Sequence, residues 1–209
     1  MDKEHYLRLR IHPERPATRP LAQAVERLQH GSFIVVPTET TYALVARPDA
    51  YNALAAIRNL RRLDPHHLWS LMCSDLSQAA LFVHIDNAAH RILRRLLPGP
   101  YTFILPANSR LPKRIFGKRR DMGVRIPQLP LTHQLLTMMG EPLLATTMQM
   151  VDEPQPEIDS DRIDSLLQRL DCLFIDSGWG GTEPTTVIDL CGDAPELMRR
   201  GLGAWPTDA

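Results

Sequence analysis

Hydroxyl and guanidinium side chains recur at what read as strand ends along this chain. They are Thr38 to Thr41 with Glu39 among them, Arg61, Arg125, Thr147 with Gln149, Thr185 with Thr186, and Arg199 with Arg200. Guanidiniums carry planar forks of donors that suit phosphate and carboxylate oxygens, and hydroxyls both donate and accept. Brought together, these stations form a pocket for a phosphate and a small polar substrate. They also have a plainer reading, in which the Thr38–Thr41 hydroxyls cap the helix that follows and the arginines lie on a solvated face.

Other common chemistries lack their signatures. There is no Gly-x4-Gly-Lys-Ser/Thr loop, and Gly178–Gly181 reads as a link between two strands rather than between a strand and a helix. His66 and His67 are adjacent, not at a helical or metal-ligating spacing, so no metal site is expected there. Met138, Met139, Met148 and Met150 read as gap-filling core. Cys73, Cys172 and Cys191 are odd in number and far apart, as expected of buried thiols in a reducing cytosol. No Ser/His/Asp or Cys/His order stands out.

Short strands alternating with helices must position the stations. Phe33 to Val36 is long enough for a buried strand and too short for a helix, and Pro37 ends its ladder. Tyr6 to His12 alternates apolar and basic residues, which predicts an exposed edge strand. Helices are predicted from Pro20 to Gly31, after Pro48-Asp49, at Leu76–Phe82 and Asn87–Leu97 behind N-caps Asp75 and Asp86, at Leu131–Met139 and at Arg162–Leu170. Further strands are predicted at Leu68–Cys73, Tyr101–Leu105, Gly123–Pro127, Leu143–Met150, Cys172–Asp176, Thr185–Leu190 and Glu196–Arg200. The pattern predicts an α/β fold with helices on a mixed sheet. With no internal repeat and no linker of distinct composition, the 209 residues read as one domain, 1–209, with 1–17 an edge strand and its connection.

Formal net charge is zero, which argues against a general coat for polyanions. The balance hides an asymmetry. Arg91 to Arg125 holds ten Lys/Arg and a single acid, Asp121, whereas Asp152 to Asp176 holds eight acids against Arg162 and Arg169. A locally basic face suits phosphate. The charged N-terminus lacks the apolar core of a signal peptide, and no apolar run approaches spanning length, so a soluble, cytoplasmic protein is expected.

At the polar stations a resemblance becomes specific. Val36-Pro-Thr-Glu-Thr-Thr-Tyr-Ala-Leu44 resembles the Pro-Thr-Glu-Thr-x-Tyr-Gly-Leu signature of the YrdC/YciO family of threonylcarbamoyl-AMP synthase-like proteins. Leu97-Pro-Gly-Pro-Tyr-Thr-Phe-Ile-Leu105 is similar to its Pro-Gly-Pro-x-Thr strand and Gly123-Val-Arg-Ile-Pro127 to its Val-Arg-x-Pro station. Pro184-Thr-Thr-Val-Ile-Asp189 resembles its Ser-Thr-Val-x-Asp strand, and Arg199-Arg-Gly201 its closing Arg-x-Gly. The matches run in order from about residue 18 to 201, and the YciO branch fits best through Ser70–Asp75, Asp86-Asn87 and Gly140–Pro142.

The resemblance implies a YrdC-like fold, a twisted mixed sheet flanked by helices around a large basic concave cavity. It further implies binding of ATP or AMP, L-threonine and bicarbonate, with Mg²⁺ accompanying ATP and no tightly bound cofactor. In the catalytic branch the product is threonylcarbamoyl-AMP, used for threonylcarbamoyladenosine in tRNA. Carried over by position, Thr38 and Arg61 are the catalytic candidates, and Thr38, Tyr42, Arg61 and Thr186 line the threonine end. Arg125, Thr147, Gln149 and Arg199 face the nucleotide. Family members bind double-stranded RNA, for which Lys113, Arg114, Lys118, Arg119 and Arg120 are the candidates, with tRNA a further partner.

The chain also departs from the family pattern. Arg61-Arg62-Leu63 stands where synthases carry Lys-x-Arg, Thr147-Met148-Gln149 where they carry Ser-x-Asn, and Ala43 where a glycine is usual. Arginine does not substitute directly for a lysine point charge. Two alternatives to a synthase therefore stay open: a noncatalytic binder of duplex RNA or tRNA in ribosome or tRNA maturation, and a regulatory protein that senses an adenylate or an amino acid.

Overall fold

The computed structural model describes residues 6–64, 67–112, 115, 120–178 and 180–205. Among these, the strands are β1 (Tyr6–Arg10), β2 (Phe33–Pro37), β3 (Tyr42–Ala46), β4 (Ser70–Met72), β5 (Tyr101–Pro106), β6 (Asp121–Arg125), β7 (Leu143–Thr147), β8 (Cys172–Asp176), β9 (Thr186–Asp189) and β10 (Glu196–Arg199). The helices are α1 (Thr18–Gln29), α2 (Tyr51–Arg61), α3 (Leu76–Ala80), α4 (Asn87–Leu96), α5 (Pro130–Met139) and α6 (Ser160–Leu167). The strands join one mixed sheet in the order β1-β8-β2-β3-β7-β4-β6-β5-β9-β10. As expected, β1 lies at an edge.

Local chemistry sets the helix ends. Asp75 and Asp86 cap α3 and α4, their carboxylates accepting from the N–H of Gln78 and of Ala89, each at 2.7 Å. Gly140 closes α5 in the left-handed region, at φ +70°. One element departs from expectation. Thr38–Thr41 leads not into a helix but into β3, which pairs antiparallel with β2 as a hairpin.

β2, β3 and β8 are buried at every position. Successive side chains in a strand face opposite ways, so Phe33 and Val35 enter one core while Ile34 and Val36 enter the other. α2, α4 and α6 complete the first core with Ile57, Leu93 and Ile163. α1 and α5 complete the second with Leu21, Leu28, Leu131 and Leu135. These last two helices pack mainly over β2 and β8, and the core beneath them reaches Leu143 on β7 and Met72 on β4. Toward β10, the first core continues through Leu71, Phe103, Val124 and Ile188. On the opposite face of β5, β6 and β9, Thr102, Asp121, Arg125, Thr185 and Asp189 line a cavity, so there the side chains turn polar.

The edge strand β1 is pinned by charge. Arg8 donates to the Asp176 carboxylate at 2.8 Å and to Asp161 at 3.1 Å. Burial alone pushes the Asp176 carboxyl up, but the Gly178 N–H, the Ser160 hydroxyl and Arg8 outweigh it and hold the carboxyl below its ordinary value. A depressed carboxylate contributes stability that is complete above its unfolded pKa and fades as pH falls through the folded one. Asp176→Asn is therefore expected to lower stability at neutral pH, with the gap to the parent narrowing as pH drops below the ordinary value of 3.8. Urea denaturation across pH checks this, and a gap independent of pH would contradict it.

Candidate functional site

Arg125, Thr147 and Arg199 line one cavity of about 630 Å³. Its floor is the polar sheet face, reached at every second position: Thr102 and Ile104 on β5, Asp121, Gly123 and Arg125 on β6, and Thr185, Val187 and Asp189 along β9. Gly123 keeps the floor clear, since a Cβ there would come within 2.9 Å of the Thr102 methyl. His67, Leu68 and Trp69 form a side wall. Asp121 and Asp189 also line the hollow, beside the guanidiniums of Arg125 and Arg199. Asp121 and Arg125 stand at opposite ends of β6.

Arg125 is buried, 7% exposed, and leans on the hairpin turn. Its Nη2 donates to Thr40 Oγ1 at 3.2 Å and to Thr38 Oγ1 at 3.5 Å, and lies 3.5 Å from the Glu39 carboxylate. The turn itself is built on Thr38. Its hydroxyl donates to the Thr41 carbonyl at 2.6 Å and accepts the N–H groups of Thr40 and Thr41 at 3.2 Å. The hydroxyls thus serve their own turn rather than a following helix. Burial pushes the Arg125 pKa down first, Glu39 opposes that, and Arg199 lowers it further by like-charge repulsion. Arg199, at the exposed rim, donates to Thr185 through the carbonyl at 3.0 Å and the hydroxyl at 3.1 Å, and Thr185 meets Thr102 at 2.8 Å.

The other predicted residues take different positions. Arg61 reaches the wall through Thr146, donating to its hydroxyl at 2.7 Å, and its Nε donates to the Gln149 carbonyl. Arg62 turns outward, 3.5 Å from Asp152. The Gln149 side chain faces away and donates to the Glu153 carbonyl at 3.1 Å. Thr186 is buried on the opposite sheet face from Thr185 and donates to the Gly203 carbonyl. Tyr42 is fully buried, donating to the Gly178 carbonyl at 2.6 Å. Gly180 and Gly181 press onto it and onto the turn, and a Cβ at Gly181 would fall 2.0 Å from the Thr40 carbonyl oxygen. Thr185, one of the polar stations read from the sequence, is on the lining, whereas His67 and Thr146 are lining residues that the sequence reading did not place. Lys113, Arg114, Lys118 and Arg119 lie outside the described residues; Arg120 is exposed and donates to the Asn108 carbonyl at 3.2 Å.

A groove of about 760 Å³ runs beside β1, but Arg8 and Asp176 on its walls are already paired with each other. Among the described residues, no group of three or more His, Cys, Asp or Glu is placed to hold a metal, and no helix is long and apolar enough to cross a membrane. Thr38→Val strips the Thr40 and Thr41 N–H groups of their acceptor. It is expected to cost about 1–3 kcal/mol in urea denaturation, the usual penalty for unsatisfied buried donors; unchanged stability would contradict the role given to Thr38.

The Sua5/YciO/YrdC family model, described as "Telomere recombination", matches residues 26–201. The chain is similar to YciO of Escherichia coli, with 39% identity over 194 residues covering 92% of this chain and 94% of that one. The crystal structure of E. coli YciO superposes with a TM-score of 0.90 over 95% of this chain and 97% of that one. The threonylcarbamoyl-AMP synthase of Chromohalobacter salexigens is 30% identical over 181 residues, 86% of this chain and 96% of that one. Sua5 of P. abyssi, complexed with L-threonine, shares the fold at 24% identity with a TM-score of 0.82, over 94% of this chain and 57% of that one. Sequence and fold agree that the chain belongs to the Sua5/YciO/YrdC family.

Proposed function

We propose that the cavity binds ATP through its phosphates and joins it to L-threonine and bicarbonate, forming threonylcarbamoyl-AMP for tRNA modification. The observation that carries this reading is the pair of guanidiniums, Arg125 and Arg199, set on one cavity and repelling each other. An anion between them offsets both the repulsion and the loss of water around Arg125. Hydroxyls of Thr102, Thr147 and Thr185 stand on the same lining, and about 630 Å³ is within the usual range for a small-molecule site. The synthase name of the C. salexigens relative and the threonine bound by P. abyssi Sua5 support the substrate class.

In this reaction the threonine nitrogen bonds to the carbon of bicarbonate with loss of water, an oxygen of the resulting N-carboxylate attacks the α-phosphorus, the bond from that phosphorus to the bridging oxygen breaks, and pyrophosphate leaves. Magnesium arrives with ATP as part of the substrate. The chain's own contribution is placement and charge: Arg125 and Arg199 hold phosphate oxygens in line with the nucleophile. Thr38 and Arg61 act one step removed, Thr38 by fixing the turn behind Arg125 and Arg61 by fixing Thr146. Both are positioning residues in this reading.

Arg125→Ala is expected to weaken ATP binding by about 1.5–3 kcal/mol in calorimetric titration, the range for a charged hydrogen bond; unchanged affinity would contradict the assignment. Pyrophosphate–ATP isotope exchange that requires both threonine and bicarbonate supports the chemical step. Saturable ATP binding without exchange for any amino acid would remove that step and leave an adenylate sensor. A second reading rests on Arg91, Arg94 and Arg95, which share the exposed face of α4. Duplex-RNA affinity through that face must fall steeply with salt, and a flat response would remove it.

A further inference from the structure

His67 sits on the cavity wall with Nε2 3.0 Å from Thr146 Oγ1, and that same oxygen accepts Arg61 Nη1 at 2.7 Å. A hydroxyl has one hydrogen and two lone pairs. Arg61 takes one lone pair; in the Nδ1–H tautomer assigned to the neutral ring, the Thr146 hydrogen turns to the bare Nε2 and the hydroxyl has no hydrogen left for a ligand. The ring also meets Trp69 edge-on at 5.7 Å. The charges around it are Arg61 and Arg58 from α2 and Asp64 from its own loop. Arg125, Arg199, Asp121 and Asp189 share the cavity. Burial foremost, then Arg61 and Arg58, push the imidazole pKa down to about 4 against the opposing pull of Asp64. Burial and the neighbouring guanidiniums thus hold the ring uncharged at neutral pH. An entering anion reverses that balance.

We propose that His67 takes up a proton when a phosphate ester enters the cavity, so that its Nε2–H donates to Thr146 and the Thr146 hydrogen swings to a ligand oxygen. No bond to a heavy atom changes; one proton moves from solvent to the ring. His67 becomes a cation supplied on demand, and Thr146 the hydroxyl that touches the ligand. The proposal rests on the nucleotide reading above.

The test is calorimetric titration of ATP near pH 6, in two buffers of different ionisation enthalpy, for the parent and for His67→Gln. Protons exchanged by ATP's own phosphates are common to both proteins and cancel in the difference. The parent is expected to take up close to one more proton per ATP, and its affinity advantage over the variant to grow by up to about tenfold per pH unit as pH falls from about 7 to 5. Should the variant fail to fold, nitrogen-15 NMR of the parent's imidazole gives the same answer. The His67 pKa should rise from about 4 in the free protein to about 7 or above with ATP. ATP binding with no more proton uptake in the parent than in His67→Gln, or an unmoved imidazole, overturns this proposal alone. Absence of ATP binding at every pH overturns the functional reading and this proposal with it.

Discussion

A guanidinium held out of water is the constraint on which the cavity depends. Arg125 ends β6 inside the protein, and a buried cation is tolerated only where other groups replace its hydration. The hairpin turn does so with two hydroxyls and a carboxylate. The replacement is incomplete, since Arg125 Nε and both Glu39 carboxylate oxygens are buried without a hydrogen bond. Electrostatic attraction therefore carries most of this pair, and the turn must be stiff for it to hold. Thr38 provides the stiffness through its own backbone bonds.

Sheet geometry supplies the space. α1 and α5 cover the second-core face where β2 lies, and the strands toward β10 carry the cavity on the same face. Because the pleat sends alternate residues to opposite faces, those strands build a packed core below and a polar floor above from one stretch of chain. Phe103 and Val124 anchor the underside, while Thr102, Gly123 and Arg125 look into the cavity. Stability and ligand chemistry are thereby assigned to neighbouring positions of the same strands.

Much of this was legible in the residues. The edge strand, the capped helices and most strands followed from alternation, aspartate caps and glycine or proline stops, each of which acts over a few residues. The hairpin did not. Tyr42 to Ala46 is apolar throughout because β3 is buried on both faces, so it carries no alternation to distinguish it. Parity separated Thr185 from Thr186: the two are chemically alike, and only the register of β9 with β5 places one on the floor and the other beneath Gly203. Gln149 lies past the end of β7, where the chain has left the floor. His67 gave no signal because its role comes from Thr146, which lies 79 positions away in sequence.

The departures from the synthase pattern acquire a physical meaning in this arrangement. Arg61 is spent on Thr146 and the Gln149 carbonyl, so the guanidinium stiffens the wall instead of projecting into the hollow as a free point charge. What the cavity retains is two guanidiniums and a set of hydroxyls around one space. A crystal structure of the protein soaked with ATP tests that account most directly. Phosphate oxygens within hydrogen-bonding distance of Arg125 and Arg199, with Thr147 on the same ligand, is the predicted result; a nucleotide bound elsewhere, with both guanidiniums untouched, would contradict it.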